Sequence, residues 1–400
     1  MKAVGIVCEY NPFHLGHKRQ IDILRENGAE TVICAMSGNY TQRGELAIAD
    51  KYTRARAAVA CGADLVLELP FPFSSLSAEG FSRAGVHILS RVGADTLSFG
   101  SECADATLLK KAASTVASED FISAYSYAQK DMGAAKAYFD TLKAMLGNDV
   151  ELLSNDILAV SYIAAINELK LDMDIFPIER KGGAYRSREL SDSLPSASAI
   201  RAAVADSENG FCSFDESHLP ICSLNALKDA QIKNEAPVFI DTVGREILSF
   251  LRLMSPAEIT SRAISRSGGG QAVADDGCGI VERLCNAARS SDSLSEMLRR
   301  SYNSRYTDAR INRVLLFSLF GVSDVFTKAL PSYTTLLAAS ESGRRYLSDI
   351  RKSIDYPIIT KPADAPECPD TAISRLSDSF YATAIGKKCD HFIKMHPFMA

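Results

Sequence analysis

Short, mostly aliphatic stretches at residues 3–8, 31–36, 64–69 and 95–100 alternate with helical segments, and the periodicity after residue 236 is mostly helical. Together these observations predict an α/β fold: a Rossmann-like parallel sheet followed by a mainly helical C-terminal domain. Strands buried on both faces by crossover helices read as continuous apolar runs, which is how these four read. Open parallel sheets bind ligands beyond the carboxyl ends of their strands. Here those ends are residues 14–17, 37–45, 70–73 and 100–102.

Taken in order, the first strand is followed by Pro12, which turns the chain, and by a helix that starts near Gly16. His14 and His17 lie one turn apart on that start. Gly16 lets the backbone approach a phosphate, while the free N–H groups and dipole of the helix end favour an anion. Two histidines at a helix start can also be plain polar residues, and the strand–glycine–helix context is what favours the phosphate cradle. A zinc site needs three or four ligands, and only Cys8 and Glu9 stand nearby, so no metal site is expected. The second strand end, residues 37–45, carries Gln42 and Arg43 and either orders over a substrate or is a solvated loop. Residues 105–170 read as helical, with Ser154 or Asn155 as a cap, and 173–180 as a further strand ending at Arg180, before a Gly182-Gly183 loop. Ser196 and Ser198 then open a helix with Arg201 one turn in. Such a start could hold a phosphate group, although the serines alone are ordinary N-caps.

The polar, acidic segment 206–235 is expected to be a linker between a unit at 1–205 that carries the sheet and the phosphate cradle and a mainly helical unit at 236–400. Residues 265–279, which include three consecutive glycines, read as a mobile loop, and the proline-rich segment 355–369 as extended. No internal repeat is present. A hydrophobic share of 46% with 23% charged residues describes a soluble globular chain, and neither a signal peptide nor a membrane span is visible, so a cytoplasmic location is expected. Ten dispersed cysteines without a Cys-x-x-Cys pair are expected to be reduced core residues. The net charge of −5 argues against a generally basic nucleic-acid binder, but residues 251–400 carry +4 and the first 250 carry −9. Polyanion binding is therefore sought in the second part. Arg305, Arg310 and Arg313, interleaved with Tyr302 and Tyr306, suit RNA phosphates and a stacked base, or else ion pairs at a domain interface.

The His-x-Gly-His run resembles the signature of the nucleotidyltransferase superfamily, whose members transfer AMP or CMP onto an acid, phosphate or amine. Residues 195–201 resemble the second signature, Ile-Ser-Thr-Ser-x-x-Arg, with Ala197 in place of the middle hydroxyl. More specifically, residues 7–17, 37–45, 99–102, 154–156, Arg180 and 196–201, with 305–313, closely resemble the bacterial tRNA(Met) cytidine acetate ligase family. The resemblance implies a nucleotidyltransferase-type sheet and a reaction in which ATP, accompanied by Mg2+, activates acetate as acetyl-adenylate. The acetyl group then passes to N4 of the wobble cytidine of elongator tRNA(Met), giving N4-acetylcytidine. It implies an ATP loop of Val7, Cys8, Glu9, Tyr10, Asn11, Pro12, Phe13, His14, Leu15, Gly16, His17, Lys18, Arg19 and Gln20, together with Gly100, Asn155 and Arg180. Ser196, Ser198 and Arg201 complete the expected nucleotide site, with His14, His17 and Arg201 as its catalytic groups, and Arg305, Arg310 and Arg313 are the candidate RNA contacts. Cys8 is expected to be a core residue rather than an acyl carrier. The alternatives are a nucleotidyltransferase acting on a small acid or phosphate without RNA, and an RNA-binding scaffold that keeps an idle nucleotide pocket.

Overall fold

The structure, a computed structural model, describes every residue except 148, 181–194, 277–278 and 304; the expected Gly182-Gly183 loop lies outside the described residues. β1 (Ala3–Cys8) leads into α1 (Leu15–Glu26), β2 (Thr31–Ser37) into α2 (Lys51–Ala60), and β3 (Leu65–Leu69) into α3 (Ala78–Arg91). β4 (Thr96–Ser101) is followed by α4 (Ala106–Val116), α5 (Glu119–Ala128), α6 (Ala134–Leu146) and α7 (Ser154–Glu168), then by β5 (Asp174–Glu179). Next come α8 (Ala197–Asp206), α9 (Ile221–Ile232), α10 (Gly244–Leu253), α11 (Pro256–Ser267), α12 (Ile280–Arg289), α13 (Leu294–Ser301) and α14 (Asp308–Phe320). The chain closes with β6 (Thr334–Ala339), α15 (Glu341–Ile350), β7 (Ile358–Ile359), α16 (Pro369–Ala384) and β8 (Phe398–Met399).

The strand order is β5-β4-β1-β2-β3-β6-β7, with β8 also on β6. The first five strands are parallel, with Ala3 opposite Thr31 and Thr96 opposite Asp174. From β1 the chain builds outward to β3, then crosses back to lay β4 on the other side of β1. That reversal opens a crevice beyond the carboxyl ends of β1 and β4, the switch point where such sheets hold ligands. Every residue of β1, β2 and β3 is buried, as continuous apolar runs require.

Several expectations change with the tertiary structure. The part after residue 236 is mainly helical, but it also returns β6 to the sheet, antiparallel to β3, with Leu65 opposite Ala339. This pairing covers a β3 edge whose backbone groups would otherwise lack partners. Residues 206–235 are not a bare linker, because α9 packs on α2 and builds a small core of Phe211, Phe214, Leu219, Leu224 and Leu227 with Ile48. Within the expected mobile loop 265–279, residues 273–274 are pinned: Val273 and Ala274 are buried, and the Ala274 N–H donates to the Val322 carbonyl at 2.8 Å. Cys61 and Cys222 are joined as a disulfide, with Cα atoms 5.9 Å apart, because packing of α2 on α9 brings together residues 161 apart in sequence. Cys8, Cys34 and Cys285 are free and buried, as expected of core thiols. No helix among the described residues is long and apolar enough to cross a membrane.

Candidate active site

His14 is the N-cap of α1. Its Nδ1 accepts the Gly16 N–H at 3.0 Å, and Nδ1 of His17 accepts the His14 N–H at 3.2 Å. The two rings stack with centroids 3.7 Å apart. Since each Nδ1 is an acceptor, the network assigns the proton of each neutral ring to Nε2, making both rings Nε2–H donors. Burial, helped by the Arg180 charge, pushes the His14 imidazolium down to about 3, and burial beside His14 and Arg180 also holds His17 well below the ordinary range. The cradle thus consists of uncharged donors. A Cβ on Gly16 would stand 2.9 Å from Cε1 of His14, so glycine is needed for the ring to lie where it caps the helix.

These rings face a cavity of about 620 Å³ at the switch point. Of the expected ATP loop, Val7, Cys8, Glu9, Tyr10, Asn11, His14, Gly16, His17, Arg19 and Gln20 line it. Pro12, Phe13, Leu15 and Lys18 are not part of that lining. Phe13 is core, its carbonyl held by the Ser223 hydroxyl at 2.8 Å, and Lys18 pairs with Asp22. Gly100, Asn155, Arg180, Ser196, Ser198 and Arg201 all line the same cavity. Arg180 lies over the β4 end, where a Cβ on Gly100 would come within 3.2 Å of its Cγ. Ser196 caps α8 by accepting the Ala199 N–H at 3.1 Å, while Arg201 reaches across to the Asn11 carbonyl at 2.8 Å and to Glu45 at 3.6 Å. The N-termini of α1 and α8 therefore open on one space, an arrangement suited to a polyphosphate.

Four features were unassigned or left open by the sequence. Glu102 lines the cavity and caps α7, accepting the backbone N–H of Asn155 at 3.1 Å and of Asp156 at 3.0 Å. Asp156 in turn holds the loop after β4, accepting from the Ser101 hydroxyl and the N–H groups of Glu102 and Cys103 at 2.5, 2.9 and 3.1 Å. Burial works against the Asp156 carboxylate, but these bonds and the Leu153 N–H outweigh it and hold the group below the usual range. The third-residue carboxylate of a helix was the available signal. Gln42 and Arg43 line the cavity from a loop that is mostly buried rather than solvated. Arg54, 1% exposed, donates to the carbonyls of Ala49, Glu9, Ser37 and Gly38, tying the ends of β1 and β2 together.

The three C-terminal arginines separate. Arg313 is buried and ion-pairs with Asp275 at 2.5 Å, and Arg310 reaches the same carboxylate at 3.5 Å. Both side chains thus pair with a carboxylate of the same C-terminal part, not across a domain interface, and Arg310 stays partly exposed. Arg305, by contrast, lines an open groove of about 900 Å³ with Arg283, Arg300, Asn303 and Tyr306.

Residues 1–393 match the model of the HIGH nucleotidyl transferase family. The chain belongs to this family. As a HIGH nucleotidyl transferase it is 30% identical to the tRNA(Met) cytidine acetate ligase of Acetivibrio thermocellus, over 94% of this chain and 92% of that one. Identity is 34% to the ligase of the same name from Caldicellulosiruptor saccharolyticus, over 90% and 87%. The crystal structure of Thermotoga maritima TmcAL bound with alpha-thio ATP superposes with a TM-score of 0.86 at 28% identity, covering 100% of this chain and 99% of that one. The apo form of the same protein gives 0.87. The similarity to this HIGH nucleotidyl transferase group therefore spans the sheet and the C-terminal helices alike.

Proposed function

We propose that the chain is an ATP-dependent ligase that makes acetyl-adenylate from acetate and acetylates N4 of the wobble cytidine of elongator tRNA(Met). The observation that carries this reading is the pair of stacked, neutral imidazole donors sharing one cavity with the α8 N-terminus and Arg201, in a chain similar end to end to ligases of that name. In the first step an acetate oxygen attacks the α-phosphorus of ATP, and pyrophosphate leaves. Charge developing on the phosphates would be met by Nε2–H of His14 and His17, by Arg180 and Arg201, and by the N–H groups and serines that open α8. In the second step the cytidine amine attacks the acetyl carbon and AMP leaves. Among the described residues no group of three or more His, Cys, Asp or Glu side chains could hold a metal ion. Magnesium would then arrive on the phosphates of ATP and supply charge neutralisation there, with water completing its shell. RNA would be held by the Arg283, Arg300 and Arg305 groove.

The test incubates the protein with ATP, labelled acetate and unmodified tRNA(Met), then digests the RNA and looks for label in cytidine. Labelled N4-acetylcytidine is the expected result. Label trapped as acetyl-adenylate with none in RNA removes the tRNA step and leaves a transferase acting on a small acid; absence of both removes the ligase reading.

A further inference from the structure

An anion-binding cavity is a poor place for a carboxylate, yet Glu9 sits at the carboxyl end of β1 and lines the cavity. Its Oε1 accepts the Gln42 N–H at 2.8 Å, its carbonyl oxygen accepts from Arg54 at 2.5 Å, and its Oε2 has no hydrogen-bond partner among the described residues. It forms no ion pair among them either, the guanidinium of Arg201 being engaged with Glu45. Burial pushes the Glu9 carboxyl up. The Gln42 N–H, Arg201 and Arg43 work in the opposite direction, Glu45 works with burial, and the balance lies above the ordinary carboxylate range.

The two chemical steps differ in what they need. Acetate is already ionised at neutral pH, so its attack on ATP releases no proton. The cytidine amine begins with two protons and ends as an amide with one, so acetyl transfer needs a base. His14 and His17 carry their proton on the open nitrogen and hold their other lone pair in backbone hydrogen bonds. Cys8 and Tyr10 are buried with Cys34 and held well above their ordinary ranges, and Glu102 is spent on the start of α7. Glu179, at the end of β5, is exposed.

We infer that Glu9 is the general base of the acetyl-transfer step, an assignment that rests on the ligase function proposed above. As N4 forms its bond to the acetyl carbon, Oε2 takes one N4 proton. The bond from that carbon to the phosphate oxygen breaks, AMP leaves with the electron pair, and Glu9 passes the proton to water once the products depart. The Gln42 N–H holds the carboxylate, Arg54 fixes the Glu9 backbone through its carbonyl, and Arg43, Arg201 and Glu45 set the charge environment.

Glu9→Gln keeps the oxygen that accepts from Gln42 and removes the base. Two rates separate the steps: acetate-dependent ATP–pyrophosphate exchange for adenylation, and single-turnover transfer from preformed acetyl-adenylate to tRNA(Met). Transfer is expected to fall about 100-fold or more, and by a clearly larger factor than exchange, in which Glu9 takes part only as one residue of the ATP loop. The wild-type transfer rate should show an acid limb with an apparent pKa above the ordinary carboxylate range, and the variant should lack that limb. Equal loss of both rates would make Glu9 a substrate-binding group and overturn the assignment, as would undiminished transfer. The same split appearing in Glu179→Gln instead would overturn it too. A wild-type protein that forms acetyl-adenylate but never acetylates RNA would overturn the ligase function itself, a failure visible before any variant is made.

Discussion

At the scale of single residues, the two histidines present uncharged donors to a cavity that arginines also line. His14 and His17 were legible in the sequence as a pair at a helix start, but their protonation was not, because it depends on which backbone N–H each Nδ1 accepts. His17→Ala is expected to lower adenylate formation about 100-fold or more while leaving tRNA binding nearly intact, measured by pyrophosphate exchange and by filter binding; equal loss of both would remove the assigned role. A neutral cradle also has a pH signature. Burial pushes His14 down to about 3 in the folded chain, below the ordinary histidine value of the unfolded one, so the unfolded chain binds the extra proton at mildly acid pH. Its contribution to stability is whole above pH ~6.5 and declines as pH falls towards 3. His14→Asn, which keeps a capping side chain, should therefore show a smaller loss of Tm between pH 7 and 5 than the wild type. ATP affinity should not rise between pH 8 and 6, and a marked rise would mean that a ring becomes charged on binding.

At the scale of elements, the loop after β2 is what joins the cavity to the C-terminal helices. Asn39 accepts the Lys51 N–H at 2.9 Å and donates to Asp378 of α16 at 2.9 Å, and the Tyr40 hydroxyl donates to the Ser377 carbonyl at 2.8 Å. Behind it, the buried Lys51 ammonium lies 2.6 Å from both Glu68 and Asp378. Burial disfavours that charge, but the attraction of the two carboxylates outweighs it and holds the proton more tightly than on a free lysine. Gly44 is the tightest point: its φ is 74°, and a Cβ there would stand 2.4 Å from the Arg313 nitrogen of α14. Gly44→Ala is expected to cost about 1–3 kcal/mol, read as a lowered Tm, and to weaken nucleotide binding by displacing Gln42 and Arg43. An unchanged melting curve would show that the close approach to α14 is not a constraint. From sequence this loop could equally be solvated, because the partners that bury it on the C-terminal helices, Arg313, Ser377 and Asp378, lie more than 260 residues downstream.

At the scale of the whole molecule, the C-terminal part supplies three sheet strands, β6, β7 and β8, two of the loop's anchors and the arginine-lined groove. Replacing Arg283 and Arg305 together with Gln is expected to weaken tRNA binding and to reduce its salt dependence, the slope becoming shallower by about 0.7–0.9 for each phosphate that is no longer neutralised; ATP–pyrophosphate exchange should stay unchanged. An unaltered salt slope would place the RNA elsewhere. The parallel strands, the histidine cradle and the Ser196 cap were readable because each is written in contiguous residues: an apolar run, a spacing of one helical turn, a hydroxyl before a helix. The antiparallel addition of β6, the Asp275 pairing of Arg310 and Arg313, the Lys51–Glu68–Asp378 cluster and the Cys61–Cys222 bond each join residues remote along the chain. Local propensity carries no information about such partners. By itself, then, the sequence determined a paired-histidine helix start at the end of the first strand and the family it resembles. Only the folded chain decided which charges face that cradle and which neutralise one another, since that depends on which elements the sheet topology brings within a few ångströms.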